Sequence, residues 1–430
     1  MKKLSIFFLF FSTLSSAQTA VDTITFMHYN VLNYRNVTSY CSNSNNNASS
    51  KDGYMKTIVG YALPDILTCN EIAGDGGTAA NRLLTNALNK DGRSYYKQCS
   101  YQANSNLCNM LYYNKNKFAL YNQDKIERAA NNSFLVRLID VYTLYYTKSS
   151  SLANGDTTFL TVYVTHLKAG SSSSDKVERA EMTEAVMKYH EDNYNNINYI
   201  IAGDFNIQTH SEACYQTLTK HSNTAIRFYD PKDKPGSWNN NSNYADLHTQ
   251  STRSSSSNGG CFSTGGLDDR FDIVLCGKEV MDNTNGVKYI SGSYKAMGND
   301  ALHFNKDIIT PANLSAPGNV ISALYNMSDH LPVVMRLGIT RGTASVNPIT
   351  NLNKLIVGNP ISSTLHWKLE SARSGVFNVT DIQGKQILNQ QVIANANWHL
   401  LGVSSWKPGT YFVSFTDTKG VVVRTKVLKL

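Results

Sequence analysis

Five runs of strand length constrain this chain more than anything else in it. Ile24–Val31, Asp65–Asn70, Phe159–Thr165, Tyr199–Ala202 and Phe271–Cys276 are β-branched, aromatic or otherwise apolar. Such runs suit the pleated surface of a sheet, where successive side chains point to opposite faces. At or beside each run sits an acid, an amide or a histidine. Asn30 lies in Met27-His-Tyr-Asn30 and Glu71 follows Cys69-Asn70. His166 follows Val164-Thr165, and Gly203-Asp204-Phe205-Asn206 follows Ile200-Ile-Ala202. Asp272 comes just after Arg270-Phe271, and a further segment, Ser328-Asp329-His330-Leu-Pro332, holds an acid beside a histidine. Alone, Gly-Asp-Phe-Asn reads as a tight turn, and His166 continues the alternation Leu160, Val162, Val164 as a core histidine would. Burying so many ionisable groups at strand ends is unfavourable unless they pair or bind a metal. Their convergence on one rim of a sandwich is the economical reading of the set.

Between the strand-like runs, residues 78–90 and 175–192 place apolar side chains at helical spacing, as in Val177, Ala180, Ala185, Met187 and Tyr189. Asp175 and Glu178 form a capping-box pattern with Asp as the cap. Many short strands with a few helices predict an α+β fold: a two-sheet β-sandwich flanked by helices. A chain of 430 residues exceeds one ordinary core. Gly338, Gly342 and Pro348 mark a linker over 339–352, and 353–430 reads as a small all-β sandwich. Its turns are Asp381–Gly384, Lys407–Gly409 and Asp417–Gly420, and it carries no catalytic constellation. Polar stretches at 42–50, 171–174, 239–243 and 254–257 read as surface loops.

Lys2 and Lys3, the apolar stretch Leu4–Leu14 and the small residues Ser15-Ser16-Ala17 form a secretory signal peptide over 1–17. No other apolar run reaches roughly 18 residues, which excludes an integral membrane segment in the mature chain. The net charge is +8, but residues 346–430 hold nine lysines and arginines against three acids. With Lys2 and Lys3 set aside, residues 18–345 carry no net charge, so the basic character belongs to the tail. Of the seven cysteines, Cys69 and Cys276 lie in apolar runs and read as buried thiols. Cys99 with Cys108, or Cys41 with Cys261, could pair in an exported chain. No spacing suits zinc.

The ordered set of Asn30, Glu71, His166, Gly203-Asp204-Phe-Asn206, Asp272 and Ser328-Asp329-His330 resembles the endonuclease/exonuclease/phosphatase superfamily over residues 22–338. The resemblance implies the four-layer deoxyribonuclease I-like fold and hydrolysis of phosphate esters with a divalent metal. Mg²⁺ is the expected ion, with Ca²⁺ or Mn²⁺ admissible, because hard cations on oxygen ligands neutralise charge growing on phosphate. It implies Glu71 as metal ligand, with Asn30 beside it and Asp329 in reach. His330, oriented by Asp272, becomes the general base or the phosphate-facing histidine. Asp204 and Asn206 position water and hold a phosphate oxygen. His166 protonates the leaving oxygen or binds phosphate, with Asn109 standing where relatives place an acidic partner. Arg179, Lys168 and, more weakly, Arg137 are phosphate-contact candidates.

The tail resembles the C-terminal sorting domain of the type IX secretion pathway, on Asn359-Pro360, Val379-Thr-Asp-Ile-Gln-Gly384-Lys385, Trp406-Lys-Pro-Gly-Thr-Tyr411 and the basic end. That implies recognition by the type IX machinery and a secreted or surface location. The expected protein is a monomeric exported metal-dependent phosphodiesterase, first of all a nuclease acting on DNA or RNA. A lipid phosphodiesterase or phosphatase on the same fold is the alternative. Trp238, Tyr244 and Phe262 would then be membrane-docking aromatics. A different class, a catalytically silent surface binding protein, would lack Glu71, His330 or Gly-Asp-Phe-Asn.

Overall fold

The structure is a computed structural model. It describes residues 21–147, 157–193, 198–340, 355–369, 373–394, 397–418 and 422–430. The expected signal peptide and residues 341–352 of the expected linker lie outside them. The chain divides into two compact units, parted between Ser345 and Val346.

The first half of the larger unit runs β1 (Val21–Tyr34), α1 (Ala48–Ala62), β2 (Ile66–Ala73), α2 (Thr78–Leu83), β3 (Tyr96–Gln98), β4 (Leu107–Asn114), β5 (Phe118–Arg128), β6 (Phe134–Tyr146) and β7 (Phe159–His166). There follow α3 (Ser173–Asn193), β8 (Asn198–Asp204), α4 (Ala213–Thr219), β9 (Phe228–Tyr229), β10 (Asp272–Gly277), α5 (Lys278–Asp282), β11 (Val287–Tyr289), β12 (Lys295–Ala296), α6 (Gly318–Met327) and β13 (Val333–Thr340). One sheet has the order β11-β13-β1-β2-β4-β3, with β12 beside β13; the other has β5-β6-β7-β8-β10-β9. β1 pairs with β2 in parallel and β7 with β8 likewise. Parallel neighbours need a long crossover, and α1 and α3 supply it.

Alternate side chains of the two sheets meet in one core. Ile24, Phe26, Ile66 and Leu111 come from the first sheet; Leu144, Leu160, Val162, Ile200, Ala202 and Val274 come from the second. The outer face of the first sheet packs Met27, Tyr29 and Leu67 on Met55, Ile58, Leu83 and Leu324 of α1, α2 and α6. The outer face of the second packs Tyr163, Ile201 and Leu275 on Met182, Val186 and Leu218 of α3 and α4. Each such side chain contributes about 1.5–3 kcal/mol on burial. The result is the expected α+β arrangement, two sheets face to face with helices outside.

Two local expectations change. The 78–90 helix is α2 followed by a single π turn, Leu84–Leu88. The capping box of α3 sits one turn earlier than its pattern suggested. Ser172 Oγ accepts from the Asp175 N–H at 3.2 Å, and Asp175 Oδ2 accepts from the Ser172 N–H at 3.1 Å. Asp175 is thus the reciprocal acid and Ser172 the cap. Of the two open cysteine pairings, the disulfide is Cys41–Cys261, while Cys99 and Cys108 are buried free thiols, as are Cys69 and Cys276.

The smaller unit is all β. Its sheets are β14 (Leu355–Val357), β15 (Thr364–Leu369) and β18 (His399–Gly402), and β17 (Gln386–Ala394), β16 (Arg373–Asp381), β19 (Gly409–Asp417) and β20 (Val422–Lys429). Leu365, Trp367 and Leu369 of one sheet share a core with Phe377, Val379, Val413 and Phe415 of the other.

Candidate active site

The inward faces of the large sandwich change chemistry along their length. β1 reads Ile24, Phe26, then His28 and Asn30; β7 reads Leu160, Val162, Val164, then His166. β8 reads Ile200, Ala202, then Asp204, and β10 reads Cys276, Val274, then Asp272. At the same rim, β2 brings Asn70, β4 Asn109 and β6 Asp140, all of them buried. Because side chains alternate with period two, one face carries both the apolar core and the polar rim. Register completes the placement: His166 and Asp272 both pair across from Asp204. The strands can close here because residue 203 is glycine; a Cβ on it would lie 2.0 Å from the Thr165 carbonyl oxygen.

Glu71 reaches the rim by a different device. Strict alternation would aim it away from Asn70, but it has φ 62° and lies where the register of β2 shifts against both neighbours. A bulge of this kind re-aims a side chain at a local conformational cost. Glu71 Oε2 accepts from the Asn33 N–H at 2.9 Å, and Oε1 accepts from Asn30 Nδ2 at 3.0 Å. Asn30 Nδ2 also donates to Asp204 Oδ2 at 3.1 Å. The oxygen of Asn30 accepts from the Leu32 N–H at 2.9 Å, which fixes the amide orientation. In this arrangement the Asn30 amide nitrogen holds two carboxylates and its oxygen is turned to the backbone.

His330 Nδ1 donates to Asp272 Oδ2 at 2.7 Å, while its Nε2 lies 3.9 Å from Asp204 and 4.0 Å from Asp329. Burial pulls the His330 pKa down, but Asp272, its hydrogen bond, Asp204 and Asp329 outweigh it and hold the value well above 6.5. His166 is the opposite case. Burial, reinforced by Arg137 and the two other histidines, keeps its pKa well below 6.5. Its Nε2 lies 3.6 Å from Asp204 Oδ2 and 3.9 Å from Glu71 Oε1. Asn109 is not its partner. It accepts from Asn70 at 2.7 Å and donates to Asp140 at 3.2 Å.

Several candidates stand elsewhere. Arg179 is buried, donating to Glu212 at 2.7 and 3.2 Å and to the carbonyls of Lys168 and Gly170 at 2.8 and 2.7 Å. It is a structural ion pair that ties α3 to the segment after β7, not a phosphate contact. Lys168 is neutralised by Asp175 at 2.5 Å. Arg137 has no carboxylate among its described partners; it donates to the Leu167 carbonyl at 3.0 Å and lines a small cavity with Asn109 and His166. Asn206, with φ 52°, donates its N–H to Asp204 Oδ1 at 3.0 Å and its side chain to the Leu167 carbonyl at 3.2 Å. Asp329 Oδ2 accepts from the Ser263 N–H at 2.8 Å. Trp238 and Phe262 are buried, so they are not membrane-docking aromatics.

Four residues at the rim escaped the motif reading. Gln250 reaches His330 Nε2 at 2.6 Å from a loop with no pattern around it. Lys51 donates Nζ to the Val31 and Leu32 carbonyls at 2.8 and 2.5 Å, and burial lowers its pKa to about 7. Asn70 accepts from the Asp204 N–H at 2.9 Å. Burial pushes the Asp140 carboxyl up, to about 8. For Asn70 and Asp140, parity with Asn30 and His166 along the strands was the available signal.

Among the described residues, ligand atoms of Glu71, His166 and Asp204 all lie within 4.8 Å of one another. Burial, with Asp272 and Glu71 adding to it and His330 opposing, raises the Asp204 pKa to about 7. Asp329 Oδ1 is buried without a hydrogen-bond partner. Crowded, desolvated carboxylate oxygens are what a hard cation stabilises, so the donor set fits a divalent metal.

Solved structures with similar overall arrangement include the human Nocturnin catalytic domain with bound sulfate, at 16% identity and TM-score 0.44, covering 74% of this chain and 98% of that one. An endonuclease/exonuclease/phosphatase family protein from Bacteroides thetaiotaomicron gives 12% identity and TM-score 0.44, covering 78% and 99%. One from Bacteroides vulgatus gives 12% and 0.46, covering 74% and 99%. No curated protein matches the chain. No described helix is long and apolar enough to cross a membrane. Residues 356–429, where the sequence resembles a type IX sorting domain, match the family model described as the secretion system C-terminal sorting domain.

Proposed function

We propose that the larger unit is an exported, divalent-metal-dependent phosphodiesterase, and that its substrate is DNA or RNA. The observation that carries this reading is the meeting of Glu71, His166 and Asp204 beside the His330–Asp272 pair. Glu71 and Asp204, with His166 beside them, are the residues that would hold the ion; bound there, it would neutralise charge developing on the phosphate and relieve the carboxylate pull on His330. Asp272 fixes the His330 ring with Nε2 toward the reaction space, where it exchanges a proton with the attacking water. Asn30 holds Glu71 and Asp204 in register. Asn206 and Arg137 face the phosphate; Arg137, like Lys51, has no carboxylate partner among the described residues. Export through the C-terminal sorting domain completes the reading.

Supercoiled plasmid incubated with the purified chain is the direct test. Nicking is expected with Mg²⁺, and none with EDTA. Glu71→Ala and His330→Ala should each lower turnover by about 10²-fold or more while the far-UV spectrum stays native. Retained turnover in both would overturn the site. Cleavage of RNA alone, or of neither nucleic acid, would move the substrate and leave the Glu71 dependence to be read on small phosphodiesters.

A further inference from the structure

Asp272 has two histidines, and the mechanism above uses one. Its Oδ2 accepts from His330, while its Oδ1 is buried without a hydrogen-bond partner. Facing that oxygen at 3.7 Å is Nε2 of His28, likewise buried and without a hydrogen bond of normal geometry, the Asn70 side chain being the other polar group that acts on the ring. Both side chains are fully excluded from solvent. An unsatisfied buried donor and an unsatisfied buried acceptor are both unfavourable, and a small closure satisfies both.

The far side of the ring decides the tautomer. His28 Nδ1 lies 2.9 Å from Thr68 Oγ1, whose other acceptor, the Met27 carbonyl, is 3.5 Å away. If the hydroxyl proton went to Met27, Nδ1 would be the donor, and a lone pair on Nε2 would face the carboxylate. If the hydroxyl donates to Nδ1 at the shorter distance, Nε2 carries the proton and points at Asp272. The second arrangement satisfies Thr68, His28 and Asp272 together.

We propose that His28 is a positioning residue: as the Nε2–H tautomer it holds Oδ1 of Asp272 and so fixes the carboxylate whose other oxygen orients His330. The order is Thr68, His28, Asp272, His330, running from inside the sandwich to the reaction space. Position 28 is the inward β1 position just before Asn30, so β1 supports both the carboxylate pair and the histidine pair. The activity arm of the test rests on the proposed phosphodiesterase function; a second arm does not.

Two substitutions separate the halves of the ring. His28→Gln places its amide nitrogen near the Nε2 position and keeps the reach to Asp272. His28→Asn places it near Nδ1, keeping Thr68 and losing Asp272. In the full chain, H28N should lower kcat about tenfold with KM unchanged, and H28Q should recover most of the loss. In metal-free protein with ¹⁵N-labelled histidine, the Nδ1 proton of His330 should be protected in wild type and H28Q and broadened by solvent exchange in H28N. A wild-type kcat and a protected proton in H28N would overturn the proposal. So would equal impairment of both variants, including equal loss of Tm, since that marks a packing role. If wild type hydrolyses no phosphodiester, the proposed function falls, while the proton comparison still decides the role of His28.

Discussion

At the scale of single residues, the environment assigns roles that residue type alone does not. Arg179 and Arg137 look alike in sequence, yet one is a buried ion pair and the other lines a small cavity beside His166. Arg179→Ala should destabilise the fold by about 3–5 kcal/mol, because it leaves Glu212 charged, buried and unpaired. Thermal or urea melts would show this, and any folded fraction should keep its KM. Histidine 190 gives a pH prediction away from the rim. Its ring sits 2.8 Å from the Tyr163 hydroxyl, and burial, with a smaller push from His221, lowers its pKa to about 3. Unfolded, it titrates near 6.5. Below that pH the unfolded state binds a proton that the folded state does not. The stability present above pH 6.5 is therefore lost as pH falls toward 3, at up to about 1.4 kcal/mol per unit. His190→Gln should flatten the acid side of Tm plotted against pH; an unchanged slope would place the acid sensitivity elsewhere.

At the scale of strands and turns, the site depends on one close approach and one bulge. Gly203 lets β8 lie against the Thr165 carbonyl, so Gly203→Ala should cost about 1–3 kcal/mol and spread Asp204 from His166. Loss of metal affinity by calorimetry, beyond what the Tm shift explains, would report that spread. The period-two pattern made the inward faces legible in the sequence: Leu160-Val162-Val164-His166 and Ile200-Ala202-Asp204 point where alternation says. Glu71 was legible as a candidate from its motif but not as a bulge, since nothing in Asn70-Glu71-Ile72 announces a left-handed glutamate. The orientation of Asn30 was equally hidden, because it follows from the Leu32 N–H, a backbone group that every residue but proline has. Gln250 and Lys51 come from a loop and a helix and meet the rim only through tertiary folding, so local pattern could not reveal them.

At the scale of the whole molecule, the two compact units predict two separable melting transitions. A chain ended at residue 345 should keep the Tm and the metal response of the full chain's larger unit; a fall in either would show that the β module supports it. Loops at the mouth of the site are joined through Cys41 and Cys261, 220 residues apart in sequence. The end of β1 that leads into the first loop donates the Asn33 N–H to Glu71, and the second loop donates the Ser263 N–H to Asp329. The native cross-link forms when the segment after β1 and the segment before β10 have been brought together. It is therefore a chemical timestamp of folding: a chain quenched with an alkylating reagent under denaturing conditions and weighed by mass spectrometry should carry seven blocked thiols before Cys41–Cys261 closes and five after, and the appearance of the five-fold blocked form should match the delay before metal is first bound.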